Sequence, residues 1–129
     1  MPDIPQSAKA NLALWRIGGI SVPIHSAYGE NQLIRAINDL KPALIITASC
    51  YVEGEDIKPL KKIVDNARAA SNFPKTKTLL IQRKFHPETE NINREIDFEY
   101  DEEVEKINGT VDPVVLPSNH PSYIYWHRQ

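Results

Sequence analysis

The chain has 129 residues, of which 41% are hydrophobic and 25% charged, proportions that suit a folded domain and exclude wholesale disorder. Fifteen basic and 17 acidic side chains leave a formal charge of -2, too balanced to concentrate a polyanion, so general nucleic-acid binding is excluded. No apolar run approaches the ~20 residues that span a bilayer, and MPDIPQSAKA lacks the basic and apolar regions of a secretory signal. The expectation is therefore an intracellular protein without a membrane partner, its compartment (cytoplasmic or mitochondrial) left open.

In chain order, Asp3 is placed to cap a helix and Pro5 suits a first turn. Ala8, Leu12 and Trp15 then recur at helical spacing until Gly18-Gly19 stops the pattern. Ile20 to Ile24 reads as a strand, HSAYGEN as a polar loop, and Leu33, Ile34, Ile37 and Leu40 as one face of a second helix ending at Lys41-Pro42. The run ALIIT, Ala43 to Thr47, is apolar on both faces, as a strand covered by helices on two sides would be. After the loop ASCYVEGED, Leu60, Ile63, Val64 and Ala67 mark a third helix, and Thr78 to Gln82 a further strand.

Strand, helix, strand, helix, strand is the order that builds parallel sheets by helical crossovers, so the predicted class is α/β with an open, mostly parallel sheet. Arg83 to Arg94 reads as a polar loop, Phe98 to Ile107 as a short acidic helix, and Val114 to Leu116 and Ser122 to Trp126 as two short strands. Neither an internal repeat nor a linker divides the chain, so residues 1–129 are read as a single domain.

Motifs with chemistry of their own are scarce. No G-x-G-x-x-G or G-x-x-x-x-G-K-[ST] is present to cradle a pyrophosphate, and no G-x-S-x-G to carry a nucleophile. His25, His86, His120 and His127 do not form a metal-ligand spacing, so no metal residues are assigned. The lone Cys50 excludes an internal disulfide and reads as a small side chain at a strand end. Glu95, Asp97, Glu99, Asp101, Glu102, Glu103 and Glu105 read as a solvated helix face. Lys58, Lys61 and Lys62 read as exposed lysines that could meet phosphates, and Asn108-Gly109-Thr110 as a turn.

Three segments carry a resemblance. RIGGISVPIHSAYGENQLIRAINDLKPALIITAS, Arg16 to Ser49, resembles the N-terminal domain of AMP-forming acyl-CoA synthetases, where a helix ending in R-I-G precedes a V-P strand. ITASCYVEGEDIKPLKKIVDNA resembles the short-chain branch, above all the propionate-CoA and acetate-CoA ligases, whose loop reads T-A-S-x-G-I-E-P-G-R before a K-P-L helix. NHPSYIYW, Asn119 to Trp126, resembles the H-P-L-Y-I-L-Y segment that leads into the family's T-S-G-T-T-G-x-P-K-G phosphate loop.

The resemblance implies an incomplete part of the large N-terminal AMP-binding domain, ending just before that loop, with His127-Arg128-Gln129 in its place. A full-length relative would use ATP, magnesium and coenzyme A to activate a small carboxylic acid such as propionate or acetate through an acyl-adenylate. This chain alone is expected to be inactive, with no catalytic residue and no retained cofactor. The family's coenzyme A loop falls on Glu53, Gly54, Glu55 and Asp56. Asp56 stands where relatives have arginine, and a carboxylate beside a phosphate repels it. Tyr28 is the aromatic kept from the family's G-G-F, a wall of the coenzyme A pocket.

Two other readings stay open: a non-catalytic interaction module built on that scaffold, and an unrelated doubly wound domain holding a phosphate ligand at its strand ends. A sheet cut from a larger domain would expose strand edges, which implies self-association.

Overall fold

The computed structural model describes residues 1–127; Arg128 and Gln129, two of the three residues that stand where the phosphate loop is expected, lie outside the described residues. Among the described residues, four helices and five strands follow one another: α1 Pro5–Arg16, α2 Glu30–Leu40, β1 Leu44–Ala48, β2 Tyr51–Glu53, β3 Asp56–Lys58, α3 Leu60–Ala70, β4 Lys77–Ile81, β5 Asp97–Glu99 and α4 Tyr100–Glu105. β1, β4 and β5 form a parallel sheet in that order, with Leu44 opposite Lys77 and Ala48 opposite Ile81 on one side, and Thr78 opposite Asp97 and Leu80 opposite Glu99 on the other. β2 and β3 pair antiparallel as a separate hairpin. The open parallel α/β arrangement expected from the crossover pattern is the one observed.

The core forms where the two helical periodicities meet the central strand. Ala36 and Ile37 of α2 and Leu60, Val64 and Ala67 of α3 are buried together with Ala48, Cys50, Leu80 and Ile81. α2 and α3 run alongside each other in the same direction, and the Lys61 N–H at the start of α3 bonds the Ser49 carbonyl just past β1. Glu30 accepts a hydrogen bond from Asn66, and Asn38 accepts one from the Asn72 backbone N–H. The N-termini of both helices therefore point toward the carboxyl ends of β1 and β4.

Several sequence expectations are corrected. Asp3 does not cap α1; Ile4 holds the N-cap position without a side-chain hydrogen bond, and Pro5 supplies the helix start. Gly18, at φ +77°, does end that helix. Ile20 to Ile24, Val114 to Leu116 and Ser122 to Trp126 do not become strands. Among the described residues a single isolated parallel bridge, Ser21 with Tyr123, joins the first of these runs to the last, while Val114 donates its N–H to the Arg16 carbonyl, so none gains the continuous ladder a strand requires. ASCYVEGED is not plain loop but contains β2, the turn and the start of β3. Asp97 to Glu99 forms β5, so the acidic helix begins only at Tyr100. As an edge strand β1 is covered in part: Leu44 is 41% exposed, whereas Thr47 and Ala48 are buried. No helix is long and apolar enough to cross a membrane among the described residues.

Candidate functional site

The carboxyl ends of β1 and β4 are closed over by a network centred on Ser49. Its hydroxyl donates to the His86 carbonyl at 2.8 Å and accepts from the Arg83 backbone N–H at 2.9 Å, which folds the segment after β4 across to the end of β1. Its carbonyl accepts from the Lys61 backbone N–H at 3.2 Å, which fixes the start of α3. Ligands of open parallel sheets bind at this end of the strands, so it is the first place to look for a site.

The β2–β3 hairpin projects from the same end. Glu53 pairs with Asp56 across a two-residue turn, Gly54-Glu55. Gly54 takes φ +63° and Glu55 does not adopt positive φ, the distribution of a type II′ turn, which favours glycine at its first central position. All four residues expected to meet coenzyme A, Glu53, Gly54, Glu55 and Asp56, therefore sit together at an exposed tip. The nearest cation is Lys58, 3.7 Å from Asp56 in an exposed pair that solvent screens. The tip is a concentrated negative charge.

Tyr28 lies in the turn before α2, its N–H bonded to the His25 carbonyl at 3.1 Å. Its ring meets Trp126 edge-on, with centroids 6.0 Å apart, and His25 at 6.4 Å. The structure thus brings together two residues from separate stretches, HSAY and NHPSYIYW. The Trp126 indole N–H also donates to Asp39 of α2 at 3.2 Å, which holds the tail beside that helix.

Behind the hairpin lies a group of charges that hydrophobic periodicity does not reveal. Lys61 is fully buried, not an exposed lysine as expected from its neighbours Lys58 and Lys62. Its ammonium donates to both Asp65 oxygens at 2.8 and 2.6 Å, to Asp97 at 2.9 Å and to the Asn91 carbonyl at 3.1 Å. Arg68 donates to Asp97 and to Asp65, each at 2.9 Å, and to the Thr78 hydroxyl.

Asp97 is consequently buried and paired, a correction to the solvated face assigned to the acidic run. Burial pushes its carboxyl up, but hydrogen bonds from Lys61, the Asn93 N–H and Arg68 outweigh it and hold the group below the ordinary carboxylate range. Burial raises Asp65, and its hydrogen bond and charge contacts with Lys61 and Arg68 offset this only in part. Like charges sharing the same cations are driven apart in this way. The signal available in sequence was the helical spacing of Lys61, Asp65 and Arg68 at i, i+4 and i+7; their partner Asp97 is 36 residues from Lys61 and carries none.

Two open grooves, of about 530 and 410 Å³, flank this region. The larger is lined by Asp65, Arg68, Asn91, Asn93 and Asp97 among others, and the smaller by Gly29 to Gln32 with Arg35. Among the described residues, no group of three His, Cys, Asp or Glu side chains is arranged to hold a metal ion.

A parallel sheet in which α3 makes the crossover from β1 to β4, with loops gathered at the carboxyl ends of its strands, defines an open α/β fold. Residues 1–126 match the AMP-binding enzyme family, and the chain belongs to that family. It is 29% identical over 126 residues to acetyl-coenzyme A synthetase 1 of Kluyveromyces lactis, covering 98% of this chain and 18% of the relative. The mitochondrial acyl-CoA synthetase short-chain family member 3 of Bos taurus is 32% identical over 127 residues, with 98% and 18% covered. The propionate–CoA ligase of Salmonella typhimurium is 29% identical over 126 residues, with 98% and 20% covered. The chain thus spans about a fifth of the length of these relatives.

Proposed function

We propose that residues 1–129 are one incomplete domain, a scaffold segment of a short-chain acid–CoA ligase that activates a small acid such as acetate or propionate. The β2–β3 hairpin and Tyr28 flank the approach of coenzyme A. The observation that carries this reading is the hairpin: the segment resembling the short-chain synthetases folds into an exposed arm at the carboxyl ends of the parallel strands. ATP, magnesium and the acyl group are the full-length enzyme's substrates and cofactor, and the 129 residues alone do not turn them over. Their sequence contains no glycine-rich phosphate cradle, and both grooves are open to solvent. The same chain serves as an interaction scaffold wherever its apolar surface is covered by another chain.

The charge at the tip sets the expected affinity. Glu53, Glu55 and Asp56 repel the phosphates of coenzyme A, so the parent chain binds it weakly. Replacing Asp56→Arg converts one repulsion into a charge-assisted pair, each term about 1 kcal/mol at an exposed site, together about thirtyfold in Kd. Calorimetric titration with coenzyme A at two ionic strengths tests this. Tighter, salt-sensitive binding by the variant supports the hairpin as the approach, and identical titrations for both proteins refute it.

A further inference from the structure

The hairpin is a short arm whose tip residues Glu53 to Asp56 are all exposed, and among the described residues the one ion pair there, Asp56 with Lys58, lies within the arm itself, so its aim is set at its base. One foot is Ser49-Cys50, directly before Tyr51; the other is Pro59, the single residue between the end of β3 and the start of α3. Pro59 has its φ locked by the ring, at -77°, so this link transmits orientation rather than acting as a swivel. Whatever fixes the first turn of α3 therefore fixes the arm.

Lys61 fixes that turn twice over. Its backbone N–H bonds the Ser49 carbonyl at 3.2 Å and so ties one foot to the other. Its side chain runs into the interior and anchors the same turn to Asp97 of β5 and to the Asn91 carbonyl of the loop after β4. A fully buried ammonium carries a desolvation cost that a methionine of similar length would not, so simple packing does not explain its presence. Arg68 already meets Asp97 from the following turns of α3, so joining that helix to the sheet does not require a second cation. What Lys61 adds is restraint at the end of the helix from which the arm springs.

We propose that Lys61 is the positioning residue of the β2–β3 hairpin, holding the arm against the parallel sheet through Asp97 and Asn91. Its consequence for coenzyme A rests on the reading of the hairpin given above; the positioning itself does not. Lys58 and Lys62, its exposed neighbours, have no part in it.

Hydrogen-exchange mass spectrometry of the chain, Lys61→Met and Lys61→Arg tests the assignment. In Lys61→Met the peptide covering residues 50–59 exchanges roughly tenfold faster or more beyond whatever acceleration β4 peptides show from the lowered global stability; Lys61→Arg, which can still reach Asp97, restores most of the protection. Should Lys61→Met not fold, the pair Lys61→Met with Asp65→Leu removes the tether while filling the space with apolar groups. Hairpin acceleration no greater than that of β4, or unchanged hairpin exchange, overturns the proposal, since either makes Lys61 an ordinary buried ion. Coenzyme A titration of Asp56→Arg with and without Lys61→Met separates the two readings. Selective loss of hairpin protection without any change in affinity leaves the positioning role intact and refutes the coenzyme A approach.

Discussion

Removal of Asp97 is the most severe single truncation of the buried charge group. Its carboxylate is 1% exposed and accepts from Lys61, Arg68 and the Asn93 N–H, each at 2.9 Å. Asp97→Ala leaves two buried cations sharing Asp65, with Thr78 as a further acceptor for Arg68. Hydrogen bonds to charged groups contribute about 1.5–3 kcal/mol each, and the remaining partners recover part of that. The expected loss is about 3–5 kcal/mol, the range for breaking a buried pair from one side. A domain of this size has about 5–15 kcal/mol in total, so the variant stays measurable but loses a large share.

Urea unfolding followed by circular dichroism reads this directly. With a slope of about 2 kcal/mol per molar, the midpoint falls by about 2 M. A fall below about 0.5 M would show that water or Asp65 fully replaces the carboxylate, and the network would then not be what couples α3 to β5. The pH dependence has a definite sign. A carboxyl held low in the folded state stabilises above its unfolded value of about 3.9, and that contribution is lost as pH falls through the folded value. Asp97→Asn therefore flattens the acid side of the stability profile below about pH 4. Asp65, raised by burial, acts oppositely, and Asp65→Asn steepens the rise of stability above that pH.

Leu80 sits fully buried at the centre of the sheet, and Leu80→Ala should cost about 2–5 kcal/mol in the same assay; under about 1 kcal/mol would mean the core collapses around the deletion. Exposed apolar side chains gather on the N-terminal helix and the tail, among them Leu12, Ile17, Val114, Val115 and Tyr125, and the free edge of β1 adds unpaired backbone. Sedimentation velocity should therefore show reversible self-association that rises with concentration and weakens in Val115→Asp. That substitution, at a residue 96% exposed, leaves unfolding within about 0.5 kcal/mol of the parent. A single monomeric species at every concentration would count against this surface as sticky.

The parts of the fold legible in sequence are those with local periodicity. The apolar faces of α2 and α3 and the short apolar runs of β1 and β4 announce themselves, and their alternation implies the parallel sheet. The hairpin was missed because each arm is only three residues long and Val52 and Ile57 are exposed, so neither arm carries an alternating core pattern. Ile20, Val115 and Tyr125 mislead in the opposite direction: they have strand-like side chains but stay exposed, and the lone Ser21–Tyr123 bridge beside Ile20 and Tyr125 does not extend into a ladder. The tip residues Glu53 to Asp56 were named by resemblance, yet nothing local to them indicates that they share a turn. Lys61 was legible only as one of three lysines, since its burial depends on Asp97, brought in by the register of β5 on β4.

As proposed above, these 129 residues hold part of a coenzyme A approach without themselves activating an acid. The most direct test is a continuous pyrophosphate-release assay on the purified chain with ATP-magnesium, coenzyme A and either acetate or propionate. No release above the protein-free rate is expected with either acid. Acid-dependent pyrophosphate release that scales with the chain's concentration and survives repurification would contradict it.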